Sequence, residues 1–218
     1  MEFAAIAVAC LAQAFSQPMS PPSRRDVAAV LAEIGAVRFG NFRLKDGRES
    51  PFYVDLRGII GFPRSLRKVG EWLADAAQAL NYDCIAAIPY AGIPLGVAMA
   101  LAADRPLVYP RKEPKAYGTE RLVEGRFSPG QCALVVDDVL TSGTAKLEAL
   151  MPLRQAGLIV RNVLVVVDRQ ERGASVLQHE GISVHHLITI RQLLDELRTM
   201  DLVTALDYER ACRFIERP

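Results

Sequence analysis

Residues 133–145, ALVVDDVLTSGTA, set two consecutive acids between an apolar run and a cluster of small hydroxyl residues. A buried strand that passes there into a helix start would offer backbone N–H groups and hydroxyls from Thr141, Ser142, Gly143 and Thr144 to an anion, with the helix dipole favouring the charge. A loop that only cradled phosphate would not choose the paired carboxylates Asp137 and Asp138. Acids suit sugar hydroxyls, so the combination points to a phosphorylated sugar. The G-x-x-x-x-G-K-[ST] pattern of a nucleotide-binding P-loop is absent. The bland alternative makes Asp138 a helix-start residue and Thr141 and Thr144 simple caps. It leaves unexplained why two acids and TSGT directly follow a buried strand.

Two further groups carry charge suited to anions. Residues 111–126 hold Arg111, Lys112, Lys115, Arg121 and Arg126, with Pro110 and Pro114 limiting regular structure and Gly118 and Gly125 as flexible points. Such a segment is either a solvated charged loop or a flap that neutralises a departing anion and excludes water. Arg169 follows the apolar run VLVVVD; its planar guanidinium suits bidentate binding of a carboxylate. The alternative there is a surface ion pair with Asp168 or Glu171.

These groups need a scaffold, and the hydrophobic pattern supplies one. Helical spacing covers 25–34, ending at Gly35, and 63–80, starting at Pro63. Short strands are expected at 37–44 and 51–55 around the turn KDGRES. Apolar strands at 84–88, 106–109, 132–136 and 163–167 then alternate with helices at 93–103 and 144–156. A further helix and strand fall at about 173–187, and helices close the chain. Continuous apolar strands alternating with helices indicate an α/β fold, an open parallel sheet with helices on both faces. Ligands of such sheets bind beyond the carboxyl ends of the strands, where 137–144 and Arg169 both fall.

Composition narrows the function classes. The 218 residues carry 26 Lys plus Arg against 25 Asp plus Glu, a net charge of +1, which argues against a dedicated nucleic-acid binder. Cys10, Cys84, Cys132 and Cys212 show no metal or disulfide spacing and read as buried thiols of a reducing, cytoplasmic setting. His179, His185 and His186 read as structural, so no protein-held metal is expected. Residues 1–23 form an N-terminal extension with a Pro/Ser linker. Its apolar run at 4–15 is too short to span a bilayer and lacks the basic start of a signal peptide, which stays the minor alternative. Residues 24–218 then make one domain.

Beyond these readings, VVDDVLTSGTA resembles the diphosphate-sugar signature of the type I phosphoribosyltransferases, which bind 5-phosphoribosyl-1-diphosphate (PRPP). FGNFRLKDGRESPFYVDLR (39–57) resembles the N-terminal hood of the orotate phosphoribosyltransferases, placed here at about 35–57. RKEPKAYGTERLVEG (111–125) resembles their mobile catalytic loop, IPYAGIPLG (88–96) their diphosphate loop, and VVVDRQERG (165–173) the strand end that holds the base. The similarity runs from about residue 25 to residue 198.

The resemblance implies transfer of the 5-phosphoribosyl group from PRPP to orotate, giving orotidine 5′-monophosphate and diphosphate in pyrimidine biosynthesis. It implies PRPP contacts at Lys45, Tyr90, Ala91, Asp137, Asp138, Val139, Leu140, Thr141, Ser142, Gly143, Thr144, Ala145, Arg111, Lys112, Lys115 and Tyr117. Orotate would meet Lys45, Phe52, Tyr53, Thr141 and Arg169, while Arg111, Lys112, Lys115 and Asp138 would serve catalysis. As strand aromatics, Phe52 and Tyr53 could equally be core. Ala91 and Ala116 stand where many relatives carry lysine and an acid, and Tyr117 where many carry histidine. The resemblance further implies Mg²⁺ held mainly by substrate oxygens and a homodimer in which the loop acts in the neighbouring subunit, with no nucleic-acid or membrane partner. A purine or other base phosphoribosyltransferase, or a non-catalytic PRPP-sensing regulator, are the alternatives.

Overall fold

The computed structural model describes residues 22–44, 47–111 and 122–216. The chain opens with helix α1 (Arg24–Glu33), whose start is fixed by a reciprocal cap: Ser23 Oγ accepts the Asp26 N–H, and the Asp26 carboxylate accepts the Ser23 N–H. It stops at Gly35, whose φ of 63° suits the left-handed turn that ends a helix. An antiparallel hairpin follows, β1 (Val37–Arg43) and β2 (Glu49–Val54). A 3₁₀ turn (Arg57–Gly61) then leads into α2 (Pro63–Ala76).

From there strands and helices alternate: β3 (Cys84–Ala87), α3 (Gly92–Ala103), β4 (Leu107–Pro110), β5 (Val123–Glu124), β6 (Cys132–Leu140) and α4 (Thr144–Gln155). The chain continues through β7 (Ile159–Asp168), α5 (Gly173–His179), β8 (Ser183–Thr189), α6 (Ile190–Thr199) and α7 (Ala205–Ile215). The six-stranded sheet has the order β5-β4-β3-β6-β7-β8, parallel except for the antiparallel β5 at its edge. The expected α/β architecture is therefore present.

Alternation along the strands divides the core into two layers. Leu134, Val136, Leu164 and Val166 pack with α1, α2, α6 and the hairpin. Ala133, Val135, Val163 and Val165 pack with residues of α4 and α5 on the opposite face. The hairpin joins the first layer through the fully buried Phe52, whose ring meets Phe214 of α7 edge-on with centroids 5.8 Å apart.

Several boundaries differ from expectation, β7 for one starting at Ile159 rather than 163, and one matters for the site. Helix α2 ends at Ala76 rather than near residue 80. Strand β6 does not end before the acids but runs through them to Leu140. Its neighbour β3 stops at the pair Ala87↔Val136, whereas β7 stays paired out to Leu140↔Asp168. Hydrogen bonding to β7 alone carries the strand four residues further, leaving its β3 side open.

Candidate functional site

Between β3 and β6 the chain order reverses: β3 is followed outward by β4, and β6 by β7 on the other side. Such a reversal opens a crevice at the carboxyl ends of the strands. The loop after β3, the projecting end of β6 and the turn after β7 all reach this edge of the sheet.

Residues 137–140 of β6 project past the end of β3 at this edge of the sheet. Asp137 and Asp138 lie within the strand rather than in a loop and differ in burial, while their carboxyls stay close enough to act on one another. Asp137 is buried; its Oδ1 accepts the Asp138 N–H at 2.8 Å, and its Oδ2 is ion-paired with Lys146 Nζ. Asp138 is half-buried and accepts the Val139 N–H at 2.8 Å. Its carboxyl is pushed up to about 7, first by burial and then by the neighbouring Asp137 charge, with Lys146 pulling it back down. Arg57, in the turn after β2, lies near enough to Asp138 and Tyr53 for their charges to reach it. It is held by a two-pronged pair with Asp55 at 2.7 and 2.8 Å.

Lys146 had no place in the reading of the sequence, yet the sequence carried a signal for it. A lysine in the first turn of a helix sits at the positive end of the dipole and needs a compensating carboxylate. Asp137 provides it across the strand–helix turn, and the lysine side chain is only 13% exposed.

Thr141, Ser142 and Gly143 connect β6 to α4, with Gly143 at the helix start in the left-handed region (φ 80°) and no side-chain cap on the helix. The alternative in which Thr141 or Thr144 merely caps α4 is thus not what the structure shows. A Cβ on Gly143 would lie 2.7 Å from the Gly173 carbonyl oxygen, and one on Gly173 would lie 2.1 Å from that of Thr141. The two glycines let the TSGT turn and the segment after β7 pack backbone against backbone. On the other side, a Cβ at Gly92 would meet the Val136 carbonyl oxygen at 2.7 Å and Asp137 Oδ1 at 3.1 Å, so α3 starts directly against β6. Tyr90 and Ala91 precede it, Tyr90 exposed and Ala91 half-buried.

Arg169 is 6% exposed; the alternative ion pair with Glu171 is present, but covered on the arginine side rather than at the surface. Its N–H donates to the Leu140 carbonyl at 3.1 Å, tying it to the residue just before the TSGT turn. The guanidinium stacks 5.1 Å over the Phe52 ring, and Nε pairs with Glu171 at 3.0 Å. The hairpin and the turn after β7 thus bring Phe52 and Arg169 together, although 117 positions separate them in the numbering. Tyr53 belongs to the other face of β2, stacked on Phe42 at 5.6 Å and lying beneath Arg38.

Arg111 closes β4, where its N–H donates to the Leu122 carbonyl and its side chain pairs with Glu124 at 2.8 Å. The β4–β5 pairing therefore clamps both ends of the basic segment. Lys112, Lys115 and Tyr117 within it, Lys45 in the hairpin turn, and residues 1–21 lie outside the described residues. The histidines are bound locally, His185 to Asn162 at 3.0 Å and His179 to the Ser175 carbonyl at 2.6 Å. No cluster of three metal-ligating side chains occurs among the described residues, and no described helix is long and apolar enough to cross a membrane.

The arrangement can hold a phosphate at the TSGT turn and sugar hydroxyls at the end of β6, with the Arg169 guanidinium at hand for an anionic group; Phe52 is core, fully buried beneath that guanidinium. No family model matches the chain. It is 41% identical over 169 residues to the orotate phosphoribosyltransferase of Pyrobaculum aerophilum, covering 77% of this chain and 88% of that protein. It is 39% identical over 188 residues to the uridine 5′-monophosphate synthase of Bos taurus; the match takes in 85% of this chain but only 39% of the bovine protein. Among solved structures, the orotate phosphoribosyltransferase of Aeropyrum pernix superposes with a TM-score of 0.70 at 31% identity, covering 82% of this chain and 99% of that one.

Proposed function

Because the chain belongs to the orotate phosphoribosyltransferase family, we propose that its two recognition regions divide the substrates of that reaction between them. PRPP lies along the end of β6, with its 5-phosphate on residues 141–145, its ribose hydroxyls at Asp137 and Asp138, and its diphosphate toward Tyr90, Ala91 and Arg111. Orotate lies against Arg169, which takes its carboxylate and is itself backed by the buried Phe52 ring. The observation that carries this reading is the buried guanidinium of Arg169, tied through Leu140 to the start of the phosphate turn. A buried cation at that distance from a phosphate cradle suits a base that is itself an anion.

In this reading a ring nitrogen of orotate displaces diphosphate from the ribose carbon, with positive charge building on the sugar. The chain supplies alignment, charge stabilisation and exclusion of water. Lys112 and Lys115 would join Arg111 in neutralising the leaving group, with Tyr117 beside them, and Lys45 would reach both substrates from the hairpin turn. Mg²⁺ belongs to the same proposal. With Asp137 already paired to Lys146, the described side chains fit an ion held by diphosphate oxygens rather than a protein cage. Its chemistry there is to neutralise part of the diphosphate charge.

A homodimer, with residues 111–125 reaching the partner's site, is also proposed. It is supported by the outer face of α3, where Val97 and Leu101 are 42% and 81% exposed. A groove of about 350 Å³ lies alongside, lined by Tyr90, Ile93, Tyr109 and Arg111 at the root of the basic segment. One domain from residue 24 onward and a cytoplasmic setting complete the reading; the latter is supported by the free thiols of Cys84, Cys132 and Cys212.

The test mixes purified protein with PRPP, Mg²⁺ and orotate and follows orotate absorbance, with adenine and hypoxanthine in parallel. Loss of orotate absorbance with release of diphosphate is expected. Turnover of a purine in place of orotate, or none at micromolar enzyme, would overturn the assignment.

A further inference from the structure

Glu171 holds two arginines that arrive from opposite ends of the fold. Its Oε1 lies 3.0 Å from Arg169 Nε and its Oε2 lies 3.1 Å from Arg48 Nη2. Each guanidinium also covers an aromatic ring, Arg169 over Phe52 at 5.1 Å and Arg48 over Phe214 at 5.6 Å. Those two rings meet edge-on, which closes a ring of five side chains from the hairpin, the turn after β7 and the C-terminal helix.

We propose that Glu171 is a positioning residue for base recognition: by bridging Arg169 to Arg48 it fixes the guanidinium that receives orotate and couples it to the hairpin turn that carries Lys45. The inference rests on the assignment of Arg169 to the orotate carboxylate. Its physical basis is the difference between a buried and an exposed pair. An exposed Arg–Glu contact contributes little, but Arg169 is almost wholly covered and the Glu171 side chain is 21% exposed. Removing the carboxylate would leave a buried cation with one partner fewer and a long side chain with more rotamers to sample. The Nε–Glu171 contact is a charge pair rather than an aligned hydrogen bond, and it draws the guanidinium toward Glu171 while Phe52 backs its face. Arg48, by holding the second oxygen, keeps Glu171 from turning away. The backbone completes the fixation, since Gln170 between the two residues adopts φ 55° and donates its N–H to Asp168 Oδ1 at 2.8 Å.

Steady-state kinetics with both substrates varied, on the full chain carrying Glu171→Gln, Glu171→Ala or Arg48→Met, test this. Glu171→Gln and Glu171→Ala are each expected to raise the KM for orotate by about 10-fold, with kcat and the KM for PRPP changed by less than about 2-fold; Arg48→Met, whose pair is half exposed, should raise it by about 2- to 3-fold. Combining Glu171→Gln with Arg48→Met should add little to Glu171→Gln alone, because both break one bridge. An unchanged orotate KM in an orotate-active wild type would overturn the proposal. So would an equal rise in both KM values, which marks a general structural role. Glu171→Gln keeps the shape of the side chain and carries the test if the alanine variant fails to fold. Failure of the underlying assignment looks different: the wild type would not use orotate, or Arg169→Met would leave orotate KM unchanged.

Discussion

The two ends of the crevice are built in opposite ways. The end proposed for phosphate and ribose comes from one continuous stretch, 137–146, in which a strand outruns its neighbour and turns directly into a helix. The end proposed for the base is assembled from Arg48, Phe52, Arg169, Glu171 and Phe214, which the fold gathers from three separate parts of the chain. The first end is acidic: a carboxyl raised to about 7 lies beside an ion-paired one. The second is a buried cation against aromatic rings. A contiguous site tolerates local change through the backbone that carries it, whereas an assembled site depends on each distant contact.

Breaking the acidic end at Asp138 should have the larger effect. Asp138→Asn removes charged acceptors for the ribose hydroxyls, and kcat/KM for PRPP should fall about 100-fold, with the dissociation constant for orotate nearly unchanged by direct titration. The same substitution should stabilise the fold, and only above acid pH. Between the ordinary carboxylate value of 3.8 and about 7, the folded chain keeps a proton on Asp138 that the unfolded chain has released. Stability therefore falls as pH rises through that window, and the loss is complete above it. Melting curves should show Asp138→Asn more stable than wild type at pH 8 and equal to it at pH 3.

A smaller change sharpens the same end. Lys146→Met removes the cation that draws Asp138 downward, so the rise of kcat/KM for PRPP with pH should move to higher pH, with about a 10-fold loss at pH 7. Lys146→Arg should restore most of it. A pH profile that does not move would show that the Lys146–Asp137 pair serves only the fold.

What could be read from the sequence follows the same division. The strand-to-helix turn at 141–143 and the alternation of strands and helices were legible because each rests on local pattern. The position of the acids inside a strand was not, since the length of β6 is set by pairing with β7 beyond the end of β3. Lys146 could have been noticed as a cation at the wrong end of a helix. Glu171 was visible only as a possible ion-pair partner of Arg169. Its second partner, Arg48, lies 123 residues away, and Phe214 enters from a C-terminal helix outside the stretch of resemblance. Nothing in local sequence pattern joins them. Phe52 and Tyr53 stood as an undivided pair until the strand placed one on each face.

The central claim is that a buried guanidinium selects an anionic base at the end assembled from distant residues. The most direct test is the ratio of kcat/KM for orotate to that for uracil, the same ring without the carboxylate, in wild type and in Arg169→Met. Wild type should favour orotate by at least about 100-fold, and the substitution should remove most of that preference through loss of orotate turnover, given what a buried charge-assisted pair contributes. A ratio that survives the loss of Arg169 would contradict the account.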